Sequence, residues 1–344
     1  MARASRRGAT ITDIARELGI SAMTVSRALN ASPEVAEATR RKVLQCAQAL
    51  DYLPNRWARS LVTRRSSIVG VVIPEISHSF FAEITFGIEE ALEPAGYDIL
   101  LCHSRGDAGR ERVEVRMLVG SKVDGLIVAS EQPEDSPELF EELSQTRIPF
   151  VLVDRFFPAH KFRAVRVDDR AVGRLATRYL LELGHRRVAH IQGPRLSPAS
   201  LRYRGYAASM KAHGLPVKRE WVEQGDFQIA GGQAAMARLL ARKRRPTAVF
   251  AANDPMAIGA IYACREAGLR VPEDVSVVGA GNIEGAHHPN PFVTTVDWPR
   301  VELGHAAARA LLAAISGTER PGRAVTVFEP RLLVRQSTAA FTPA

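Results

Sequence analysis

Residues 21–30, SAMTVSRALN, place small, polar and cationic side chains at helical spacing. On a helix over this stretch, Val25 and Leu29 share one apolar face. The other face presents a row that should point away from the core: Ala22, Met23, Thr24, Ser26 and Arg27. A helix that enters a DNA groove requires a face of this kind.

Two short helices joined by a glycine would position this row. The preceding stretch, ITDIAREL, has its own apolar face, and helices of about eight residues are marginal in water unless they pack on something. We expect Thr12 to cap the first helix, Gly19 to supply the turn and Ser21 to cap the second. Apolar residues also recur on one face over residues 36–50 and predict a third helix. Three helices make one small domain.

Positive charge is concentrated in the same part of the chain. Of a formal net charge of +9, residues 1–65 hold 12 Lys and Arg against 5 Asp and Glu, whereas residues 66–344 hold 34 against 32. A charge run alone is usually a solvated face. Because this one coincides with the predicted helix pair, it favours a polyanion partner, and we expect double-stranded DNA.

The composition restricts the remaining classes of function. With 46% hydrophobic and 24% charged residues, a chain of 344 residues is an ordinary soluble protein of two or three domains. The sequence has no apolar run of membrane-spanning length and no secretory signal pattern, so we expect a cytoplasmic protein without a membrane partner. Cys46, Cys102 and Cys264 are widely spaced and have no CxxC pattern, so we expect no disulfide, metal or cofactor.

From Ser67 onward, eight short β-branched runs alternate with amphipathic helical stretches. This pattern predicts parallel sheet covered by helices on both faces, and eight units favour two lobes. A cleft between such lobes, at the carboxyl ends of the strands, is where small ligands bind. The expected boundaries are a helix-turn-helix domain over 1–54, a basic linker over 55–66 and a core over 67–338, with lobe one at about 67–167 and 299–330 and lobe two at about 168–298.

Several motifs closely resemble the lactose-repressor (LacI/GalR) family of bacterial transcription regulators. They are TITDIARELGISAMTVSRALN, RRKVLQCAQALDYLPNRWARSL, IVGVVIP, FFAEI, VDGLIVAS, GHRRVAHIQGP and VPEDVSVVG, in the family's order between Thr10 and Gln336. The resemblance implies an all-α helix-turn-helix headpiece followed by an α/β two-lobed core like that of periplasmic binding proteins. It also implies a sequence-specific regulator, most often a repressor, that acts as a homodimer under the control of a small-molecule effector. No heptad tail follows RLLVRQS, so we expect a dimer.

By this resemblance, the second helix lies in the major groove. Ala22 and Met23 stand at the positions that choose bases, and Arg27 matches a residue that contacts guanine. The chemistry agrees, because a guanidinium pairs bidentately with a guanine edge and a methionine covers a thymine methyl group. Thr12, Thr24, Ser26 and Asn30 are expected to contact phosphates, which fix the register. Met23 could instead fill a gap in the core.

NRWARSL matches the family's hinge helix. A leucine at the place of Leu61 wedges into the minor groove in relatives and bends the operator. Leu61 suits this role as a bulky aliphatic residue in a basic, poorly buried segment. Asn55, Arg56 and Arg59 are expected to hold the flanking phosphates.

The resemblance also places an effector between the two lobes. Phe80 and Phe81 match aromatic residues that stack on the ligand or wall it off, and Arg202 matches an arginine that grips it. Phe227 and Asp254 match cleft positions of the second lobe. Two alternatives stay open at this point. An aromatic pair at a helix start is as often core, and an aspartate after a strand is often only a helix cap.

Departures from the family pattern bear on the effector. Many sugar-binding relatives have an aspartate where this chain has Gly281 and Asn282, and Asn282 could still bind a hydroxyl group. Leu196 and Pro198 replace the polar contacts of the purine-responsive branch, so a purine is not expected. We expect a sugar or a sugar acid, and a sugar acid or another hydroxylated anion is favoured because Arg202 could pair with it. The gluconate-repressor branch is one candidate.

Two other classes of protein remain as alternatives. The core alone would resemble a transport-type solute-binding protein, although the basic N-terminal domain disagrees. GAGNIEG has the outline of a dinucleotide-binding loop of an oxidoreductase, but the prolines of HHPNPF prevent the helix that should follow. The sequence contains no GxSxG or HExxH pattern, and we expect no enzymatic activity.

Overall fold

The computed structural model describes residues 9–30, 32–52, 65–77, 79–283, 292–318 and 325–342. The chain divides into two compact units, Met1–Ser66 and Ser67–Ala344. Among the described residues, no helix has the length and apolar character needed to span a bilayer.

The first unit contains three helices, α1 (Ile11–Leu18), α2 (Ala22–Leu29) and α3 (Glu37–Ala49). Their apolar faces meet in a small core that includes the fully buried Ile14, Val25 and Val43. Gly19 ends α1 with φ of +64°, and the Ser21 hydroxyl accepts a hydrogen bond from the Thr24 amide (3.0 Å). These features confirm the predicted turn and the predicted cap of α2.

The predicted cap of α1 is wrong by two residues. The helix begins at Ile11, so its N-cap is Thr10, and Thr12 is an exposed residue of the first turn. The Asp13 carboxylate accepts hydrogen bonds from the Thr10 amide (2.9 Å) and the Thr10 hydroxyl (2.7 Å). A threonine followed three residues later by a carboxylate marks a helix start, and this pattern decides the boundary.

The second unit contains two six-stranded sheets among the described residues. Sheet one has the order β11-β5-β4-β3-β1-β2 and is parallel throughout. Sheet two has the order β12-β10-β9-β8-β6-β7, with only the β12 edge antiparallel. The strands are β1 (Ile68–Ile73), β2 (Asp98–His103), β3 (Gly125–Val128), β4 (Phe150–Val153), β5 (Ala164–Val167), β6 (Val188–Gln192), β7 (Val222–Gln224), β8 (Ala248–Ala251), β9 (Ser276–Ala280), β10 (Thr294–Asp297), β11 (Val325–Phe328) and β12 (Arg331–Leu333).

Helices cover the sheets and complete two lobes. They are α4 (Ser79–Leu92), α5 (Ala108–Gly120), α6 (Glu138–Ser144), α7 (Asp169–Glu182), α8 (Ser197–Ala212), α9 (Ile229–Leu240), α10 (Asp254–Glu266) and α11 (Arg300–Ser316). The last helix, α11, packs on α4 and on β3, β4 and β5, so it belongs with sheet one, whereas α7 packs on α8 and on sheet two. The chain therefore crosses between the lobes after β5, after β10 and after β11. The predicted two-lobed parallel α/β core is confirmed.

Glycines allow α7 and α8 to cross at backbone distance. A Cβ atom on Gly173 would collide with the carbonyl oxygen of Arg202, and one on Gly205 would collide with the carbonyl oxygen of Arg170. This close crossing brings the start of α7, with Asp169, next to Arg202 on α8. The backbone contact therefore positions one of the predicted site residues.

Candidate functional site

The outer face of α2 is open to solvent in the first unit. Met23 is 63% exposed, so it is not the core residue that the alternative allowed. Thr24 and Ser26 are half-buried beside it. Ala22 is also half-buried but packs against the edge of the core, so the expectation that it points away is wrong. As the first residue of the helix it lies close to the turn, where α1 covers part of its surface.

Arg27 is held in place by a neighbour on the same face. Its guanidinium pairs with the Glu34 carboxylate at 2.9 Å, and both side chains stay more than half exposed. An exposed ion pair of this kind contributes about 0 to 1 kcal/mol to stability. The pair therefore orients Arg27 but is weak enough for Arg27 to exchange it for another partner. Asn30 donates its side-chain amide to the Ser26 carbonyl (2.9 Å). The predicted hinge residues, Asn55, Arg56, Arg59 and Leu61, lie outside the described residues.

A cavity of about 320 Å³ lies between the two lobes of the second unit, at the carboxyl ends of the strands. Its lining residues come from both lobes: Pro74, Glu75, Phe80, Phe81, Arg105, Gly106, Glu131, Asp154, Arg155, Pro194, Leu196, Pro198, Arg202, Asp226, Phe227, Gln228, Asn253, Pro255, Ala280, Gly281, Ile283 and Trp298. The volume suits a small ligand rather than a polymer.

Aromatic rings form one wall of this cavity. Phe80 meets Phe81 edge to face with ring centroids 5.0 Å apart, and it meets Trp298 in the same way at 5.7 Å. Both phenylalanines are almost fully buried, so they belong to the core and to the cavity wall at once. Phe227 has φ of +67°, and its ring fills the space where a side chain on Gly193 would lie. Flat apolar faces of this kind stack on sugar rings and on other planar or puckered rings.

Arg202 reaches the cavity with its charge already compensated. Its Nη2 and Nε atoms lie 2.8 and 2.9 Å from Asp169 Oδ1, and its Nη1 donates to the Ala252 carbonyl (2.8 Å). The guanidinium carbon lies 5.1 Å from the Trp298 ring centroid. Burial raises the pKa of Asp169 to about 7, against the opposing effect of Arg202. The arginine is held by Asp169, by the Ala252 carbonyl and against the Trp298 ring.

A second group of charges was not foreseen from the sequence. Asp154 follows β4 with φ of +65°, is 4% exposed, and its Oδ1 has no hydrogen-bond partner among the described residues. Burial raises the pKa of this carboxyl. The neighbouring Arg155 pairs with Glu131 (2.5 Å), donates to the Ser130 carbonyl (3.1 Å) and lies over the Phe81 ring. The signal available in the sequence was VLVDR, a polar pair directly after a buried strand.

Asp254 and Asn282 lie behind the cavity wall, and neither is among the described residues that line it. Asp254 Oδ1 accepts from the Thr295 hydroxyl (2.7 Å), and its Oδ2 accepts from the Ile283 amide (3.0 Å). Asn282 Oδ1 accepts from Arg335 (2.6 Å). Both side chains therefore shape the loop after β9, whose Gly281 and Ile283 do reach the cavity. A direct effector contact stays a prediction for these two residues.

Hydrogen bonds also join the lobes directly. The Ser200 hydroxyl donates to Glu134 Oε2 (2.6 Å), and the Phe156 amide donates to the Ser197 hydroxyl (2.9 Å). Each of these bonds joins lobe one to lobe two.

Metal and thiol chemistry find little support in the part of the chain that the structure describes. No group of three or more His, Cys, Asp or Glu residues there could hold a metal ion. Burial raises the pKa of Cys102 to about 11 and that of Cys264 to about 12, so both stay protonated thiols at neutral pH.

Known protein families match parts of both units of the chain. Residues 10–55 match the model of bacterial regulatory proteins of the lacI family, and residues 177–338 match the periplasmic binding protein-like domain. The HTH-type transcriptional repressor PurR of Photorhabdus laumondii is 37% identical over 332 residues, which cover 96% of each chain. This chain belongs to the LacI family. Its relatives combine a DNA-binding helix-turn-helix with an effector-binding core, so the transport-protein and oxidoreductase alternatives are not favoured.

Solved structures of LacI-family members extend the likeness to the whole chain. A complex of the transcriptional regulator CelR with cellobiose is 34% identical, covers 96% of this chain and 99% of its own, and has a TM-score of 0.72. The lac repressor dimer bound to operator and the anti-inducer ONPF is 27% identical, covers 97% of this chain and 100% of its own, and has a TM-score of 0.85. The assignment to a branch within the family stays a prediction.

Proposed function

We propose that this LacI-family protein is a cytoplasmic repressor that binds a near-palindromic operator as a homodimer. A small hydroxylated effector between the lobes would control its operator affinity. The observation that carries the proposal is the outer face of α2, where Met23 and Arg27 project from a helix fixed by its own small core. One recognition helix contacts too few base pairs alone, so a symmetric pair of helices on two half-sites is needed.

In this proposal, some side chains of the first unit contact bases and others contact phosphates. Arg27 reads a guanine after exchanging Glu34 for the base edge, and Met23 covers a thymine methyl group with Ala22 beside it. Hydroxyl and amide groups hold the phosphates on either side, from Thr12, Thr24, Ser26 and Asn30. For the hinge, the proposal rests on the sequence alone. Leu61 would wedge the minor groove, with Asn55, Arg56 and Arg59 on the flanking phosphates.

The cavity favours a neutral sugar over a sugar acid. Arg202 and Arg155 are both already paired with carboxylates. In contrast, Asp154 Oδ1 is buried and has no hydrogen-bond partner among the described residues. A sugar hydroxyl that donates to this oxygen would satisfy it, and a carboxylate placed there would be repelled. Arg105 lies at the exposed rim of the cavity and is the cation that a sugar acid would contact. That a LacI-family relative, CelR, was solved with cellobiose supports the neutral class.

Control of operator binding follows from a ligand that contacts both lobes. Phe80 and Asp154 come from lobe one, and Arg202 and Phe227 come from lobe two, so a ligand between them favours one lobe arrangement by its differential contacts. Asp254 and Asn282 would act on the same site through the loop after β9. Coupling of about 1 to 3 kcal/mol, or about 5- to 150-fold in operator affinity, is typical of such systems. Its sign, induction or co-repression, follows from which arrangement binds DNA.

A ligand screen by thermal shift tests the effector proposal. The panel pairs neutral sugars with the matching sugar acids and adds nucleosides, and each hit is then added to an operator-binding titration. We expect a neutral sugar to stabilise the protein and to change operator affinity. Stabilisation by sugar acids alone, lost on Arg105→Gln, would contradict the neutral class. A sugar that binds but leaves operator affinity unchanged at saturation would contradict the coupling.

A further inference from the structure

Three loops at the amino ends of β6, β7 and β8 bring cations together on lobe two. Residues 185–187, 213–221 and 241–247 contain eight Lys and Arg against one carboxylate, Glu220. One of the eight, Arg242, is paired with Glu223. The other seven form what we call the basic edge: Arg186, Arg187, Lys218, Arg219, Lys243, Arg244 and Arg245.

Hydrogen bonds to backbone carbonyl groups hold the three loops side by side. The Thr247 amide donates to the Arg187 carbonyl (2.9 Å), and Arg187 Nε donates to the Arg245 carbonyl (3.0 Å). On the other side, the Trp221 indole donates to the Arg244 carbonyl (3.4 Å). Residues that are far apart in the sequence thus form one surface, and its backbone is rigid.

The charge of the basic edge is largely uncompensated within the described part of the chain. Apart from Lys218, which lies 3.9 Å from Glu220, none of its members is within ion-pair distance of a carboxylate there. Six of the seven side chains are exposed, and Lys218 is half-buried over the Trp221 ring. The next loop, before β9, bounds the surface with the Arg270–Asp274 pair and the exposed Glu273.

The surface has no apolar anchor. The large hydrophobic side chains that are exposed in the described residues all lie outside these three loops, with Ile229, Tyr262 and Val334 the ones on lobe two. Protein interfaces rely on buried aromatic or aliphatic anchors, whereas phosphate backbones are bound by Arg and Lys alone. Five of the seven cations are arginines, whose planar guanidinium matches phosphate oxygens bidentately.

We infer that the basic edge binds the phosphate backbone of a DNA duplex, independently of base sequence. It lies at the amino ends of the strands of sheet two, whereas the effector cavity lies at the carboxyl ends, so the two sites are separate. This goes beyond the proposed function, which places operator DNA on the first unit and on the hinge segment that follows it. A protein with both surfaces holds a second duplex segment in addition to its operator.

Titration of the full-length protein with a random-sequence 30-bp duplex tests this inference. At low salt, the number of duplexes bound per protomer is measured by sedimentation, and the affinity is measured by fluorescence anisotropy over a salt series. The variant combines Arg219→Gln, Lys243→Gln and Arg244→Gln, whose side chains make no hydrogen bond to any other described residue. We expect it to lose one class of duplex site. If all three contact phosphates, the salt slope for that class falls by about 2.7, which is about 500-fold in affinity at 0.1 M salt relative to 1 M.

A matched control removes the same charge elsewhere on the second unit. Arg147→Gln, Lys161→Gln and Arg204→Gln change three exposed cations outside the basic edge and should leave the duplex count unchanged. If the basic-edge variant binds as many duplexes as the wild type with the same salt slope, the inference is wrong. It is equally wrong if polyglutamate of equal charge displaces the duplex from this class, because the surface then fits an acidic polypeptide. The α2 proposal fails separately, if Arg27→Ala binds the operator as tightly as the wild type does.

Discussion

Replacing Asp154 by Asn should make the ligand-free protein more stable and its effector binding weaker. The wild-type carboxylate is buried, and its Oδ1 has no hydrogen-bond partner among the described residues. Its cationic neighbour, Arg155, lies 3.8 Å away through Nε but is already paired with Glu131 at 2.5 Å. An asparagine keeps the shape, tolerates the left-handed backbone at φ of +65°, and removes the buried charge.

The magnitude follows from the cost of a buried polar group without a partner. That cost is about 1 to 3 kcal/mol for a neutral group and larger for a charged one; asparagine keeps the polar atoms but removes the charge, so Asp154→Asn should raise the free energy of unfolding by about 1 kcal/mol. A hydrogen bond from a sugar hydroxyl to a charged acceptor contributes about 1.5 to 3 kcal/mol, so effector affinity should fall about 10- to 150-fold. A gain in stability that accompanies a loss of binding identifies a residue kept for function.

Urea unfolding and calorimetric titration with a sugar identified by the thermal-shift screen provide the two readouts. Asp169→Asn is the matched comparison, because it removes a buried carboxylate that does have partners, the 2.8 and 2.9 Å contacts to Arg202. Leaving that arginine unpaired should lower the free energy of unfolding by about 3 to 5 kcal/mol. If Asp154→Asn is less stable than the wild type, or if it binds the sugar normally, the carboxylate is a structural residue and the reasoning fails.

Three further predictions address packing, DNA and pH. Gly173→Ala should lower the free energy of unfolding by about 1 to 3 kcal/mol in urea, because its Cβ would collide with backbone of α8, whereas Gly120→Ala, with open space around it, should not. Glu34→Gln releases the arginine of α2 and should tighten operator binding by up to about fivefold in anisotropy titrations; Glu37→Gln is the control, and a weaker complex would contradict the assignment. Burial raises the pKa of Glu111 from 4.5 to about 7, so its contribution to stability is present at acidic pH and lost as the pH rises to 7. Glu111→Gln should therefore flatten the dependence of unfolding free energy on pH between pH 5 and 7, and an unchanged slope would refute this.

Local pattern was sufficient to predict the elements and the organisation of the core. The helix pair of the first unit follows from apolar spacing and from Gly19, and the alternation of short apolar runs with helices gives two parallel sheets. The strands β7, β10 and β12 were not foreseen, because stretches of three or four residues carry too little pattern and these three pair only through tertiary neighbours. The cap of α1 was misplaced because Thr10 and Thr12 are equally good capping residues, and only the Asp13 hydrogen bonds separate them.

Side-chain direction in the cavity depends on residues far away in the sequence. The motifs brought Phe80, Phe81, Arg202 and Phe227 to the cavity wall, as the resemblance implied. Asp254 and the neighbouring Asn282 were expected beside them, but their oxygens are engaged from β10 and from the C-terminal segment. No local pattern shows such a partner in advance.

Trp298 was missed for a similar reason. Within TTVDWPR, nothing indicates that this ring crosses to meet Phe80 and Arg202. The basic edge also escaped notice, because its cations come from three loops that only the sheet brings together. In both cases tertiary packing creates a surface that no short stretch of sequence contains.

Selection of bound duplexes from a random-sequence library tests the central claim most directly. The full-length protein and Arg27→Ala are compared, with Arg16→Ala, an exposed arginine of α1, as the control. We predict enrichment of a near-palindromic site, with Arg27→Ala losing preference at one symmetric position and about 1 to 3 kcal/mol of affinity for the selected site. No enriched site, or an equal loss by Arg27→Ala on selected and random duplexes, would contradict the account of α2 as the helix that reads bases.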